Sequence, residues 1–111
     1  MSHDLVALVR QQPDAAAVLD GMVAMGERLE IRAHIGAIHV HDEAGRLVVS
    51  IETPMFVRVP GEVERLLGVQ VHVPTWWVNV RAAADPPDAE RVARKFADDL
   101  VRWQGGTVWS A

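Results

Sequence analysis

The sequence predicts an α+β domain: a five-stranded, largely antiparallel sheet packed on one face by N- and C-terminal helices, in the order α-β-β-β-α-β-β-α. Apolar residues recur at helical spacing near both ends, while the middle of the chain alternates apolar with polar in short runs bounded by glycine and proline. At 111 residues the chain makes one domain, 1–111, with room for a single core.

The elements follow in order. Leu5, Leu8 and Val9 fit a first helix that Ser2 or Asp4 can cap, and Pro13-Asp14 starts a second, over residues 15–25. The reading favours two short helices over one kinked helix, with Gly26 as the stop. From Leu29 the period becomes two. Strands are expected over 29–32 and 38–41, a hairpin turn at Asp42-Glu43-Ala44-Gly45, and a return strand over 47–52. A third extended segment covers 56–59, and a short helix lies between Pro60 and Gly68. Residues 69–73 and 76–82 read as two more strands. Asp85-Pro86 opens the last helix, which buries Ala89, Val92, Phe96, Leu100 and Trp103. Gly105-Gly106 ends it, and residues 107–109 add an edge strand.

Alternation sorts the strands into two unlike faces. Ile38, Val40, Val49, Ile51, Val57, Val71, Val78 and Val80 belong to an apolar face that the helices cover. His39, His41, Ser50, Glu52, Arg58, Gln70, His72, Trp77, Asn79 and Arg81 belong to a polar one. Adjacent strand residues point to opposite faces, so Trp76 goes with the valines and Trp77 with the polar set. Trp76, Trp103 and Trp109 read as structural anchors. Trp77 is left for a partner, because tryptophan is enriched where proteins grip one another. The contact face expected is Trp77, Asn79, Arg81 and Arg58.

Composition narrows the function classes. The net charge of −4 and the absence of a dense basic block give no reason to expect nucleic acid. With no cysteine the chain has no disulfide or thiolate chemistry. Its apolar N-terminal run is too short for a signal peptide, and no segment is long enough to span a bilayer, so a cytoplasmic protein without membrane contact is expected. A bacterial origin fits the composition, since Lys95 is the only lysine among 11 basic residues. His39-Val40-His41 is the one arrangement with metal-ligand spacing, two side chains on one side of a strand that His72 or Glu52 from other strands could join. No glycine-rich phosphate loop or nucleophile elbow occurs, so neither a catalytic residue nor a cofactor is assigned.

The order helix, three strands, short helix, two strands, long helix, running from Ser2 to Trp103, resembles the type III secretion chaperone-like fold. Residues 107–109 and the tryptophan cluster depart from that pattern. The stretch from Pro74 to Trp109, with Trp76-Trp77-Val78-Asn79-Val80-Arg81 and Gly105-Gly106-Thr107-Val108-Trp109, is also similar to small actinobacterial proteins. The first resemblance implies a small, acidic, dimeric, non-enzymatic protein that holds a partner polypeptide. The expectation is therefore a protein-binding module, chaperone- or adaptor-like, acting as a homodimer. The alternatives are an immunity protein that covers a toxin's basic active site, or a small metal-dependent enzyme built on His39, His41 and His72.

Overall fold

A computed structural model describes residues 3–111, so the capping role expected of Ser2 lies outside the described residues. The elements are β1 (His3–Val9), α1 (Ala15–Ala24), β2 (Glu30–His34), β3 (Ala37–His41), β4 (Leu47–Glu52), β5 (Met55–Val57), α2 (Glu62–Leu67), β6 (Thr75–Ala82), α3 (Ala89–Gln104) and β7 (Gly106–Ser110). The class is α+β and every strand pairing is antiparallel. The sheet, however, has seven strands, ordered β2-β3-β4-β6-β1-β7 with β5 also on β6. The order that carries the resemblance to secretion chaperones is therefore not this chain's order.

Strand β1 is the main correction. Leu5, Leu8 and Val9 fit helical spacing, but Leu5-Val6-Ala7-Leu8-Val9 is also an unbroken apolar run, the pattern of a strand covered on both faces. It sits between β6 and β7, where Leu5 pairs with Val80 on one side and Ser110 on the other. Leu5, Ala7 and Val9 enter the core under the helices, while Val6 and Leu8 enter a second cluster on the opposite face. Only one helix, α1, lies between β1 and β2. Asp14 caps α1, its side chain accepting from the Ala17 amide at 3.1 Å.

The β2-β3-β4 meander matches the expected runs, and the turn closes as Asp42 accepts from the amides of Ala44 and Arg46. Strand β6 takes β4 along its C-terminal half and β5 along its N-terminal half. Residues 47–57 thus follow one edge of β6, with a break at Pro54, which has no N–H for a ladder. Residues 69–73 form no strand. Their valines alternate because Val69 and Val71 pack on the second cluster, without a ladder partner. Helix α3 begins later than Asp85-Pro86 suggests: Pro86 accepts from the Ala89 amide in a preceding turn, and Asp88 is the N-cap. It buries Ala89, Val92, Phe96 and Leu100 as spacing requires. Strand β7 is the edge strand expected after Gly105-Gly106.

Helices α1 and α3 cover the main core, formed with Leu5, Val40, Val49, Ile51, Val78 and Val80. On the other face Val63 of α2 closes a smaller cluster with Val6, Leu8 and Trp77, flanked by Trp109 and by Val57 and Val71, which alternation assigns to the helix-covered face but which follow α2 to this side. No helix among the described residues is long and apolar enough to cross a membrane.

Candidate functional site

The sheet face opposite α1 and α3 is divided. Its β1-β7 side lies under α2 and the 69–73 segment, and its β2-β3-β4 side carries a polar grid. Register sets the grid: Arg32 lies opposite His39, His39 opposite Ser50, Ser50 opposite Arg81, and Arg81 opposite Asp4. This is one continuous polar row across five strands, since opposite residues in an antiparallel ladder share a face.

Of the expected contact residues, Trp77 is placed differently from its expectation. It is 9% exposed and packs with Val6, Leu8 and Val63. The alternation correctly put it opposite Trp76. That opposite face is covered at this point by α2, whose cover comes from residues distant in sequence. Its indole Nε1 donates to Asn79 Oδ1 at 3.0 Å, and Asn79 in turn donates to Glu52 at 3.4 Å. Arg81 is exposed and donates to Asp4 at 3.0 Å. Asn79, Arg81, Asp4 and Glu52 border one depression of about 290 Å³. Arg58 is exposed in the loop after β5 and is not among that depression's residues. The structure thus joins Asn79 to Arg81 and takes Trp77 out of solvent.

The histidines divide as well. The rings of His34 and His39 approach to 4.4 Å between centroids, and those of His39 and His41 to 6.5 Å. His41 Nδ1 is buried without a hydrogen-bond partner. His72 instead lines a hollow beside α2, with Val63, Glu64 and Gln70. Among the described residues no group of three histidine, aspartate or glutamate side chains could hold a metal ion, so the set His39, His41 and His72 is not assembled.

The shifted carboxyls belong to structural ion pairs. The Arg91 guanidinium, hydrogen-bonded to Glu27 at 2.8 and 3.0 Å, holds that carboxyl below its usual range against the opposing effect of burial. Asp42 is lowered mainly by the backbone amide of Arg46 in the hairpin turn. Neither lies in the polar row.

One surface has no counterpart in the sequence reading. Trp103, expected as an anchor, is 68% exposed, and Met25 is 87% exposed. Both line a groove of about 290 Å³ between α1 and α3, whose floor and walls include Ala17, Val18 and Gly21. The signal for it was present in α1. Its sequence Ala15-Ala16-Ala17-Val18-Leu19-Asp20-Gly21-Met22-Val23-Ala24 carries a single charge, where a surface helix ordinarily has a polar outer face.

Comparisons with protein-family models, with curated proteins and with solved structures find no match to this chain.

Proposed function

We propose that this chain is a non-enzymatic protein-binding module, adaptor- or chaperone-like, that acts as a homodimer and offers its partner the uncovered half of the sheet. The observation in support is the polar row Arg32, His39, Ser50, Arg81 and Asp4, together with Asn79 and Glu52 beside it. These groups are spread over a flat antiparallel surface instead of converging on one reacting atom. Such a spread suits side-by-side contact with another polypeptide, where polar groups fix register and specificity. The face ends at β2, an edge strand with one side unpaired, which a partner strand can extend. Asn79 and Arg81 remain contact residues in this reading, while Trp77 supports them from behind through its bond to Asn79.

The test is a pull-down from native lysate with the wild type beside a His39→Ala/Arg81→Ala variant, compared by quantitative mass spectrometry. Both side chains lie on the sheet surface, so the variant keeps the fold. A protein enriched by the wild type and lost with the variant supports the reading. Equal recovery with both rejects the sheet face as the contact.

A further inference from the structure

We infer that the unpaired edge of β2 is the homodimer contact: the same strand of a second copy adds antiparallel to it, about a two-fold axis at Ile31, and the two sheets become one. Strand β2 stands at the end of the strand order and pairs with β3 alone. Alternate N–H and C=O groups along its outer side therefore have no ladder partner, and such a row is a template for another strand. The strand Glu30-Ile31-Arg32-Ala33-His34 has no proline, no lysine and no bulge against β3 to blunt that edge. Glu30, Arg32, Ala33 and His34 are exposed.

Charge and face select the occupant. Glu30 and Arg32 lie on the polar face, two residues apart, one of each sign. Leu29, Ile31 and Ala33 take the other face, where Leu29 and Ile31 pack against the main core. A slip of one residue would set apolar side chains opposite charged ones, so a second β2 must keep the faces matched. Of the face-matched registers, those centred on Glu30 and on Arg32 oppose like charges, and the one centred on Ala33 leaves Glu30 without a charge across from it. Centring on Ile31 sets each Glu30 opposite the second copy's Arg32.

Arg32 already donates to Glu30 of its own strand at 3.0 Å, so the four charges make an alternating square in which each adjoins two of opposite sign. On the other face the same register lines Leu29, Ile31 and Ala33 against Ala33, Ile31 and Leu29. One strand thus complements itself on both faces, as a two-fold contact requires. Strand β7, at the other end of the sheet, reads Gly106-Thr107-Val108-Trp109-Ser110 and has no charge to choose a register. Joined at β2, the open half-sheets of the two copies form one polar surface, with Arg32 of each row next to Glu30 of the other copy.

The inference rests on the homodimeric part of the proposed function. Sedimentation equilibrium and light scattering of the full chain give the mass from micromolar concentrations upward, and the wild type is expected to be dimeric. Glu30→Arg alone, or Arg32→Glu alone, opposes like charges across the axis and should raise the dissociation constant by about tenfold or more. An equimolar mixture of the two single variants should regain the dimer, because one copy then offers two positive side chains to two negative ones. A role of the ion pair within one chain cannot produce that recovery, since each variant's own pair stays broken. The exchange variant Glu30→Arg/Arg32→Glu should dimerise as the wild type does. Both side chains are exposed, and unchanged far-ultraviolet circular dichroism shows that each variant is folded. A monomeric wild type overturns the inference together with the homodimeric reading. A dimer indifferent to the single changes, or one that the mixture and the exchange fail to restore, overturns the inference alone. The His39→Ala/Arg81→Ala pull-down leaves β2 unchanged and bears only on the sheet face.

Discussion

Trp77 donates its indole N–H to Asn79 two residues along the same strand, at 3.0 Å, and this bond lets a tryptophan lie buried in the smaller core with its polar atom satisfied. Side chains two apart on a strand share a face, so the bond spans the boundary between the covered and the open halves of the sheet. Asn79 carries the connection onward to Glu52.

Trp77→Ala is therefore expected to destabilise the fold by about 3–5 kcal/mol, the usual cost of truncating a buried aromatic. Trp77→Phe fills most of the space but leaves Asn79 without its donor, and should cost less than the alanine change. Urea denaturation followed by circular dichroism measures both. A change below 1 kcal/mol for the alanine variant, on the scale of surface substitutions of about ±0.5 kcal/mol, would return Trp77 to the surface.

Trp103→Ala should behave in the opposite way. With 68% of the residue exposed, the monomer's stability is expected to change by no more than about 0.5 kcal/mol, measured at a concentration where the chain is monomeric. The contrast between two tryptophans of one chain separates an indole that packs the core from one that does not.

Gly106 admits no side chain. At φ +145° a Cβ would lie 1.9 Å from the Leu8 carbonyl oxygen, inside the pairing of β7 with β1. Gly106→Ala is expected to cost about 3 kcal/mol or more, as strain at a special backbone position adds to a backbone clash. The neighbouring Gly105 also has positive φ, but its nearest atom is the flexible Arg10 side chain at 3.6 Å. With φ +72° and ψ +139° Gly105 is extended at positive φ and not left-handed helical, so Gly105→Ala should cost about 1–3 kcal/mol, backbone strain without the clash. Parallel denaturation curves test the order of the two.

The ion pair between Glu27 and Arg91 ties the turn after α1 to the start of α3. Because the folded carboxyl titrates below its unfolded value, its contribution is fully present above the unfolded range and is lost as pH falls through the folded one. Glu27→Gln should flatten that part of the acid limb of stability against pH. A double-mutant cycle with Arg91→Ala is expected to give about 0.2–1 kcal/mol at neutral pH, since Arg91 is half exposed. A coupling of zero together with an unaltered acid limb would reject the assignment.

Much of the architecture was readable from sequence where neighbours decide it. The Asp42 turn, the Gly61-to-Gly68 helix, the β3 and β4 runs and the amphipathic α3 follow from local chemistry. What misled was the second layer. Leu5-Val6-Ala7-Leu8-Val9 satisfies both helical spacing and a doubly buried strand, and its partners lie in the last third of the chain, outside any local window. The alternation of residues 69–73 reported burial correctly and pairing wrongly, because burial alone makes the pattern. For the same reason Trp77, expected on a contact face, is buried, and Trp103, expected as an anchor, is exposed. Alternation says which face a side chain takes, not whether a distant segment covers that face. In the candidate site, register could place Asn79 and Arg81 together, but the groove beside Trp103 depends on two helices lying side by side.

The position of β1 bears on the order of assembly. The meander β2-β3-β4 joins neighbours in sequence and can zip locally, whereas β1 must wait for β6 and β7, with Leu5 meeting Ser110 at the far end of the described chain. Contacts of such separation require a long loop to close before they return any free energy, which slows folding. Until then Leu5-Val6-Ala7-Leu8-Val9 is a bare apolar strand, the kind of segment most prone to pair with a second chain. The strand that ends as the best protected in the sheet is thus the chain's most hazardous stretch while it folds.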